Sequence, residues 1–341
     1  MEERIVRVAL DAMGGDNAPD EIIKGAVEAV TAHPDLSVTL VGKEEVVRGK
    51  LEAYDFPTDR ITTVNATEEI SCDEPPVDAI RRKRDSSITV AMNLVRHKEC
   101  DAFVSAGSTG AILVGGQILV GRIRGIERTP LAPLIPTEKG VSLLIDCGAN
   151  VDARPSQLLQ YAMMGTIYMK HVVGIENPTV GIINIGTEEE KGNALVKDTY
   201  PLLKTLPGIN FIGSVEAREI PKGAADILVC EAFVGNVILK LYEGLASTLL
   251  SKIKEGMMSG VRSKMGALLV KPALKQSLKE FDTSGYGGAP MLGLNGLVVK
   301  THGNSTSVEI RNALAQCLAF VREDIGGKIK SHLAEQETAL E

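Results

Sequence analysis

Residues 5–41 read IVRVALDAMGGDNAPDEIIKGAVEAVTAHPDLSVTLV, and this stretch decides the fold. Ile5–Asp11 is a β-rich apolar run, 11–17 (DAMGGDN) is a glycine-bearing turn, and Pro19 opens a helix. Ile22, Ile23, Ala26, Val27 and Val30 fall on one face of that helix, and Leu36–Val41 is a second strand. Strand, helix and strand at this spacing make a βαβ unit with parallel strands. Working outward, similar apolar runs occur at Ile61–Val64, Ala102–Ser105, Val141–Asp146, Thr179–Ile185, Asn210–Ile212, Asp226–Cys230 and Leu297–Thr301. Helical patterns occupy 156–172, 237–250 and 307–329. Apolar strands alternating with helices predict an α/β fold with a mostly parallel, doubly wound sheet covered on both faces. No repeat or low-complexity linker divides the chain, so a single unit over 1–341 is expected, with a helical arm at 251–282 inserted in it.

Composition removes several function classes. The 341 residues carry a net charge of −7, with six Tyr, six Phe and no Trp. Single-stranded nucleic acid needs aromatic platforms in a basic groove, so nucleic acid is not an expected partner. The five cysteines (Cys72, Cys100, Cys147, Cys230 and Cys317) show no CxxC spacing, which argues against a disulfide framework and a zinc site, and no metal is expected. The N-terminus lacks a signal peptide's apolar stretch, and the longest uninterrupted apolar run falls short of the ~20 residues of a membrane span. A cytoplasmic protein is expected.

The 34 glycines are the compositional surplus. Six strand candidates end in loops of one character: DAMGGDN (11–17), SAGSTG (105–110), DCGAN (146–150), NIGTEEEKGN (184–193), CEAFVGN (230–236) and THGNS (301–305). In a parallel α/β sheet the loops after the strands share one edge, where ligands bind. Glycine lets backbone approach a ligand, and exposed N–H groups favour an anion, so a shared oxyanion or phosphate site on one sheet edge is expected. There is no GxxxxGK[ST], no strand-borne GxGxxG, no HExxH, no EF-hand loop and no GxSxG elbow. Cys147 has no histidine near it in sequence and reads as a buried structural thiol.

Eight segments carry a resemblance: VALDAMGGDNAPDEIIKG, DEPPVDAIRRKRDSSI, SAGSTGA, VGRIRGIERTPLAP, DCGANVDARP, NIGTEEEKGN, FIGSVEAR and YGGAPMLGLNG. Over about residues 4–325 the chain resembles the bacterial acyl-acyl carrier protein:phosphate acyltransferases of phospholipid synthesis. Ser108 stands where some relatives carry Asn, and Glu231 where some carry Asp. The resemblance implies transfer of a long-chain acyl group from acyl carrier protein to inorganic phosphate, giving acyl phosphate, with no cofactor. It also implies a homodimer and a fold like the isocitrate and isopropylmalate dehydrogenases, shared with phosphotransacetylases.

The loop residues suit that chemistry. Phosphate at neutral pH is already a nucleophile, and a thiol of pKa about 8.5 is a fair leaving group. Alignment of two reactants and stabilisation of the carbonyl oxyanion supply the rest. Phosphate is expected among Gly14, Gly15, Ser108, Thr109, Gly110, Gly148 and Asn150, with Asn17, Ser105, Gly235 and Asn236 from the same loops. Asn184, Thr187 and Asn193 would orient phosphate or carbonyl, and Lys191 would add positive charge. Asp11 and Asp16 would orient a donor or move a proton, or act only as turn and cap residues. His302 could protonate the departing thiolate, or be structural.

Two basic features remain. Arg81, Arg82 and Arg84 (with Lys83), and separately Arg122, Arg124 and Arg128, could dock the acidic carrier protein or form solvated faces. Residues 251–282 carry seven basic and three acidic side chains, a local +4. Ile253, Met257, Val261, Met265, Leu268 and Leu269 recur at helical spacing, with Pro272 expected to start a second helical segment. Such an arm either contacts an anionic membrane peripherally, through Val261, Leu268 and Leu269, or packs on a dimer partner. A phosphotransacetylase using acyl-coenzyme A, a decarboxylating dehydrogenase and a non-enzymatic membrane scaffold are the alternatives. The dehydrogenase lacks acidic metal ligands, and the scaffold leaves the six loops unexplained.

Overall fold

The computed structural model describes residues 4–279 and 287–340. In chain order the strands are β1 (Val6–Asp11), β2 (Leu36–Gly42), β3 (Ile61–Asn65), β4 (Ala102–Ser105), β5 (Leu134–Thr137), β6 (Gly140–Ile145), β7 (Thr179–Asn184), β8 (Asn210–Glu216), β9 (Ile227–Val229), β10 (Ala289–Met291) and β11 (Leu297–Lys300). The helices are α1 (Asp20–Ala32), α2 (Glu44–Leu51), α3 (Pro76–Arg82), α4 (Ser87–Arg96), α5 (Thr109–Gly115), α6 (Pro155–Tyr168), α7 (Ala194–Thr205), α8 (Ala232–Met257), α9 (Val261–Lys279), α10 (Ser307–Arg322) and α11 (Ile325–Leu340).

The expected α/β class is the one observed, but the strands form two sheets. One runs β10-β11-β4-β1-β2-β3 and the other β5-β6-β9-β7-β8. The chain accordingly divides into two compact units where a single one was expected. The first is Met1–Pro133, Met164–Glu176 and Ser284–Glu341; the second is Leu134–Met163 and Asn177–Thr283. The expectation of six loops on one sheet edge is therefore corrected. The loops after β1, β4 and β11 belong to the first sheet, and those after β6, β7 and β9 to the second. Strand periodicity reports burial on both faces, which is the same for one large sheet as for two smaller ones.

In the first unit β1 lies between β2 and β4, both parallel to it, with Val8 opposite Val38 and Ala102. β4 is buried at every position and β1 at all but one, because helices cover both faces. α1 buries the five apolar residues that its pattern assigns inward. It packs on α10 at Gly25, where a Cβ would come 2.7 Å from the Ile310 Cβ, so only glycine allows this approach. In the second unit β6, β9, β7 and β8 are mutually parallel neighbours. Their core joins Leu144, Ile183, Val215 and Leu228 with Cys147 and Cys230.

β5 and β10 escaped the sequence reading. Each is an antiparallel edge strand of three or four residues containing a proline, Pro136 or Pro290, and proline is tolerated at such edges. The final helical pattern is two helices, broken at Asp324, whose φ of 46° is left-handed. In the 251–282 arm the break falls at 258–260, between α8 and α9, and Pro272 sits inside α9. Residues 280–282 of that arm lie outside the described residues. Among the described residues α8 is long and apolar enough to cross a membrane by length and composition alone. Lys240 and Glu243 interrupt its apolar run, which is why a search for unbroken runs passes over it.

Candidate active site

In the first unit a buried carboxyl ties the loops after β1 and β4, and backbone and amide bonds from the β1 loop join the loop after β11. Asp11 ends β1 with no solvent exposure. One of its oxygens accepts the Ser105 hydroxyl at 2.6 Å, and the other accepts the N–H groups of Met13 (3.1 Å) and Gly14 (3.2 Å). Burial raises the Asp11 pKa above the usual carboxylate value, opposed by these bonds and one to Ser87 at the start of α4. Ser105 in turn accepts the Gly107 N–H at 2.9 Å. A Cβ on Gly14 would lie 2.3 Å from an Asp11 carboxyl oxygen and 2.8 Å from the Gly107 backbone. Glycine is thus required at 14 for loop to touch loop. Gly15, at φ 105°, brings the Asp16 N–H to the Gly303 carbonyl at 2.7 Å.

Asn17 continues the junction, donating to the Asn304 and Ser305 carbonyls at 2.9 and 3.2 Å. Lys300 donates to the Ala106 and Thr301 carbonyls, placing a cation among these loops. The hydroxyls of Thr301 and Ser305 are buried and have no hydrogen-bond partner among the described residues. Lys300, Thr301 and Ser305 were not singled out from sequence. A lysine ending a strand and two hydroxyls in a Gly-Asn turn carry no motif, and only the pairing of β11 with β4 brings them to this edge. Asp16 and His302 are exposed on the same loops. Ser108 caps α5, accepting the Ala111 N–H at 3.4 Å, with Thr109 exposed after it. Gly110 faces Pro76, 2.5 Å from where its Cβ would be, so packing against α3 accounts for that glycine.

The second unit repeats the device. Asp146, fully buried at the end of β6, accepts the N–H groups of Ala149 (3.2 Å) and Asn150 (2.9 Å) and the Asn150 side-chain amide (2.8 Å). Gly148 has φ 126°. The Asn150 carbonyl accepts the Ala232 N–H, joining this loop to the start of α8. Gly235 lies on the Asp146 carbonyl, and Asn236 is exposed one residue on. Glu231 caps α8 through the N–H groups of Phe233 and Val234. Cys147 and Cys230 are buried, with pKa values pushed well up by desolvation, so both are thiols at neutral pH.

After β7, Asn184 spends its amide internally. It donates to the Lys191 carbonyl (3.1 Å) and the Ser214 hydroxyl (3.0 Å) and accepts the Ile185 N–H (2.8 Å). Asn193 caps α7 by accepting the Val196 N–H at 2.9 Å. Thr187 is exposed, and the Lys191 ammonium pairs with Glu188 at 2.8 Å on the surface, which raises its pKa. A cleft of about 320 Å³ lies beside Asn184 and Asn193, walled mainly by apolar side chains of α7 and α8.

Arg81, Arg82 and Arg84 are exposed, whereas Lys83 turns inward to Glu74 and the Glu69 carbonyl. Arg81 and Arg84 share a cleft of about 550 Å³ with Arg96, over Ile80, Ile118 and Leu119. Arg122, Arg124 and Arg128 are also exposed. On α9, Val261 (77%), Leu268 (72%) and Leu269 (84%) project into solvent.

The family described as fatty acid synthesis protein matches residues 6–327. A phosphate acyltransferase of Clostridium novyi is 44% identical over 97% of this chain and 99% of its own. One from Alkaliphilus oremlandii is 47% identical over 98% of each. The chain belongs to this phosphate acyltransferase family, and it is an acyltransferase. Solved phosphotransacetylases share the fold. The one from Streptococcus pyogenes has a TM-score of 0.62 at 17% identity, covering 94% of this chain and 95% of its own. The one from Staphylococcus aureus has a TM-score of 0.59 at 15% identity, covering 92% and 94%.

Proposed function

We propose that the protein transfers a long-chain fatty acyl group from acyl carrier protein to inorganic phosphate, giving acyl phosphate for phospholipid synthesis. The carrying observation is the loop junction of the first unit. There Lys300 supplies a cation, Thr301 and Ser305 supply unpartnered hydroxyls, and glycines at 14 and 15 hold backbone close. Cation, hydroxyls and main chain are the donor types a phosphate dianion needs. Asp11 fixes the β1 and β4 loops through Ser105, Met13 and Gly14.

Chemically, a phosphate oxygen forms a bond to the thioester carbonyl carbon, and the electron pair moves to the carbonyl oxygen. Collapse breaks the C–S bond and releases the thiolate, which takes a proton from solvent or from an exposed donor such as His302. No strong base is required, because the nucleophile is already an anion. Asn184 and Asn193 act in this reading by setting the loop between β7 and α7. The acidic carrier protein docks at Arg81 and Arg84, with Arg96 as a third cation over an apolar floor. A homodimer with peripheral membrane contact through Val261, Leu268 and Leu269 completes the proposal.

The test is acyl phosphate formation, trapped with hydroxylamine, from palmitoyl-acyl carrier protein and from palmitoyl-coenzyme A with phosphate. A large preference for the carrier protein thioester is expected. Equal or better use of the coenzyme A thioester overturns the assigned donor, and no product from either overturns the reaction.

A further inference from the structure

We propose that the cleft between α3, α4 and the helical turn 116–120 holds the phosphopantetheine arm of the acyl donor, with Arg84 and Arg96 on its phosphate. The proposal rests on the acyl-transfer reading above and adds which part of the donor this cleft reads. Three cations line it: Arg81 at the end of α3, Arg84 in the turn to α4, and Arg96 at the end of α4. Ile80, Ile118 and Leu119 give it an apolar floor, and Thr89 and Asn93 give it polar groups. At about 550 Å³ it falls within the range of ligand cavities, about 300 to 1,000 Å³.

The cations are uncommitted. Arg4, Arg7, Arg48, Arg218 and Arg322 each pair with a carboxylate. Among the described residues the guanidiniums of Arg81, Arg84 and Arg96 have neither an ion pair nor a hydrogen bond, and the Asn93 side-chain amide has no partner. Unneutralised guanidiniums around one cleft repel one another, and a bound anion relieves that repulsion. A second copy of this chain meeting the cleft across a two-fold axis would set the same cations against themselves. Guanidinium holds phosphate through paired N–H donors, which a lysine cannot do.

Phosphopantetheine matches the rest of the lining. Beside its phosphate stands a gem-dimethyl carbon, followed by a hydroxyl and two amides. The methyl pair suits the apolar floor, and the hydroxyl and amides suit Thr89 and Asn93. An acidic protein surface alone would engage the cations and leave that floor unused. Thr89, Asn93 and Arg96 are spaced four and three residues apart, so they share one face of α4. From first to last they rise about 10 Å along the helix. Ser87, two residues before Thr89, bonds the Asp11 carboxyl that ties the β1 and β4 loops. The cleft therefore leads along α4 toward the junction assigned to phosphate, which is where the thioester end of the arm must arrive.

The experiment compares kcat/KM for palmitoyl thioesters of phosphopantetheine, pantetheine and N-acetylcysteamine, each below its micelle concentration. Pantetheine lacks only the phosphate, and N-acetylcysteamine lacks the gem-dimethyl segment as well. Arg84→Gln/Arg96→Gln is expected to lower kcat/KM about tenfold for the phosphopantetheine thioester, near the worth of one charge-assisted hydrogen bond. The other two small thioesters should be unaffected by it. Ile118→Ser is expected to lower kcat/KM about threefold for both pantetheine-bearing thioesters, near the worth of one buried methylene, and not for N-acetylcysteamine. Arg84, Arg96 and Ile118 are exposed, so neither variant opens the core. With palmitoyl-acyl carrier protein both variants should show losses of the same size as with free phosphopantetheine. No loss on the phosphopantetheine thioester, or equal losses on all three small thioesters, overturns the assignment. Loss with palmitoyl-coenzyme A but not with palmitoyl-acyl carrier protein gives the cleft to the coenzyme arm and overturns the assigned source. Absence of acyl phosphate from the wild-type protein with palmitoyl-acyl carrier protein overturns the underlying reaction instead.

Discussion

Gly235 and Asp146 touch through their backbones: a Cβ added at Gly235 would sit 1.8 Å from the Asp146 carbonyl oxygen. The first turn of α8 therefore rests directly on the end of β6. The contact is possible only because residue 235 has no side chain, and it fixes where Glu231, Asn236 and the 146–150 loop stand.

Gly235→Ala is accordingly expected to be strongly destabilising. The opposing atom is backbone, which cannot swing aside, so relief requires α8 to lift from β6. Overpacking costs about 1–3 kcal/mol and more where backbone must move. Chemical unfolding should show a loss at or beyond the top of that range, whereas Gly244→Ala, which meets nothing within 4 Å, should be neutral or stabilising.

The Asp11 carboxyl gives a pH signature. Its folded pKa is raised by burial above 3.8, so the folded state holds its proton at a pH where the unfolded chain has released it. Its contribution to stability is full below 3.8 and is lost as pH rises through the raised folded value. Asp11→Asn lacks this titration and exchanges an acceptor for a donor beside Ser105 and the Met13 and Gly14 N–H groups. The variant should be less stable throughout, by about 1–3 kcal/mol for the unsatisfied group. The gap from wild type should widen as pH falls toward 3.8. A gap that widens on raising pH instead would remove Asp11 as the raised group.

How much of this was legible in sequence depends on what each signal encodes. The helix face at Ile22, Ile23, Ala26, Val27 and Val30 is periodic, and α1 buries all five. The loops at strand ends were visible because Gly, Asn and Asp mark turns. Their distribution between two sheets was not, because strand order is set by non-local pairing such as β4 with β11. Gly110 shows the limit at a single residue. Its place in SAGSTG suggests close approach to a ligand, while the structure sets it against Pro76. Thr301 and Ser305 bound the THGNS loop, but with Lys300 they become one group of donors only when β11 joins the first sheet.

Asn193 and Lys191 separate capping from charge. Asn193→Ala removes the acceptor for the Val196 N–H and should cost about 1 kcal/mol in unfolding measurements. Lys191→Ala breaks a solvent-exposed pair with Glu188 and should leave the thermal midpoint essentially unmoved. Acyl phosphate formation by Lys191→Ala then isolates its charge from any folding effect. Wild-type kcat and phosphate KM would remove Lys191 from the reaction.

Arg81 and Arg84 test the proposed docking of the carrier protein. Both are exposed beside Arg96, whereas Lys83 between them is occupied by Glu74, so charge reversal at 81 and 84 reaches that cleft without breaking the internal pair. Rim charges act chiefly on association rate and its salt dependence. The double variant Arg81→Glu/Arg84→Glu should raise the KM for acyl carrier protein about tenfold at low salt, with a smaller effect at high salt as screening shortens the field. Phosphate KM should not change. Arg82→Glu, which lies outside the cleft lining, should do less than either reversal alone. An equal effect from Arg82→Glu would point to diffuse attraction across α3, and an unchanged carrier-protein KM in the double variant would move docking elsewhere on the molecule.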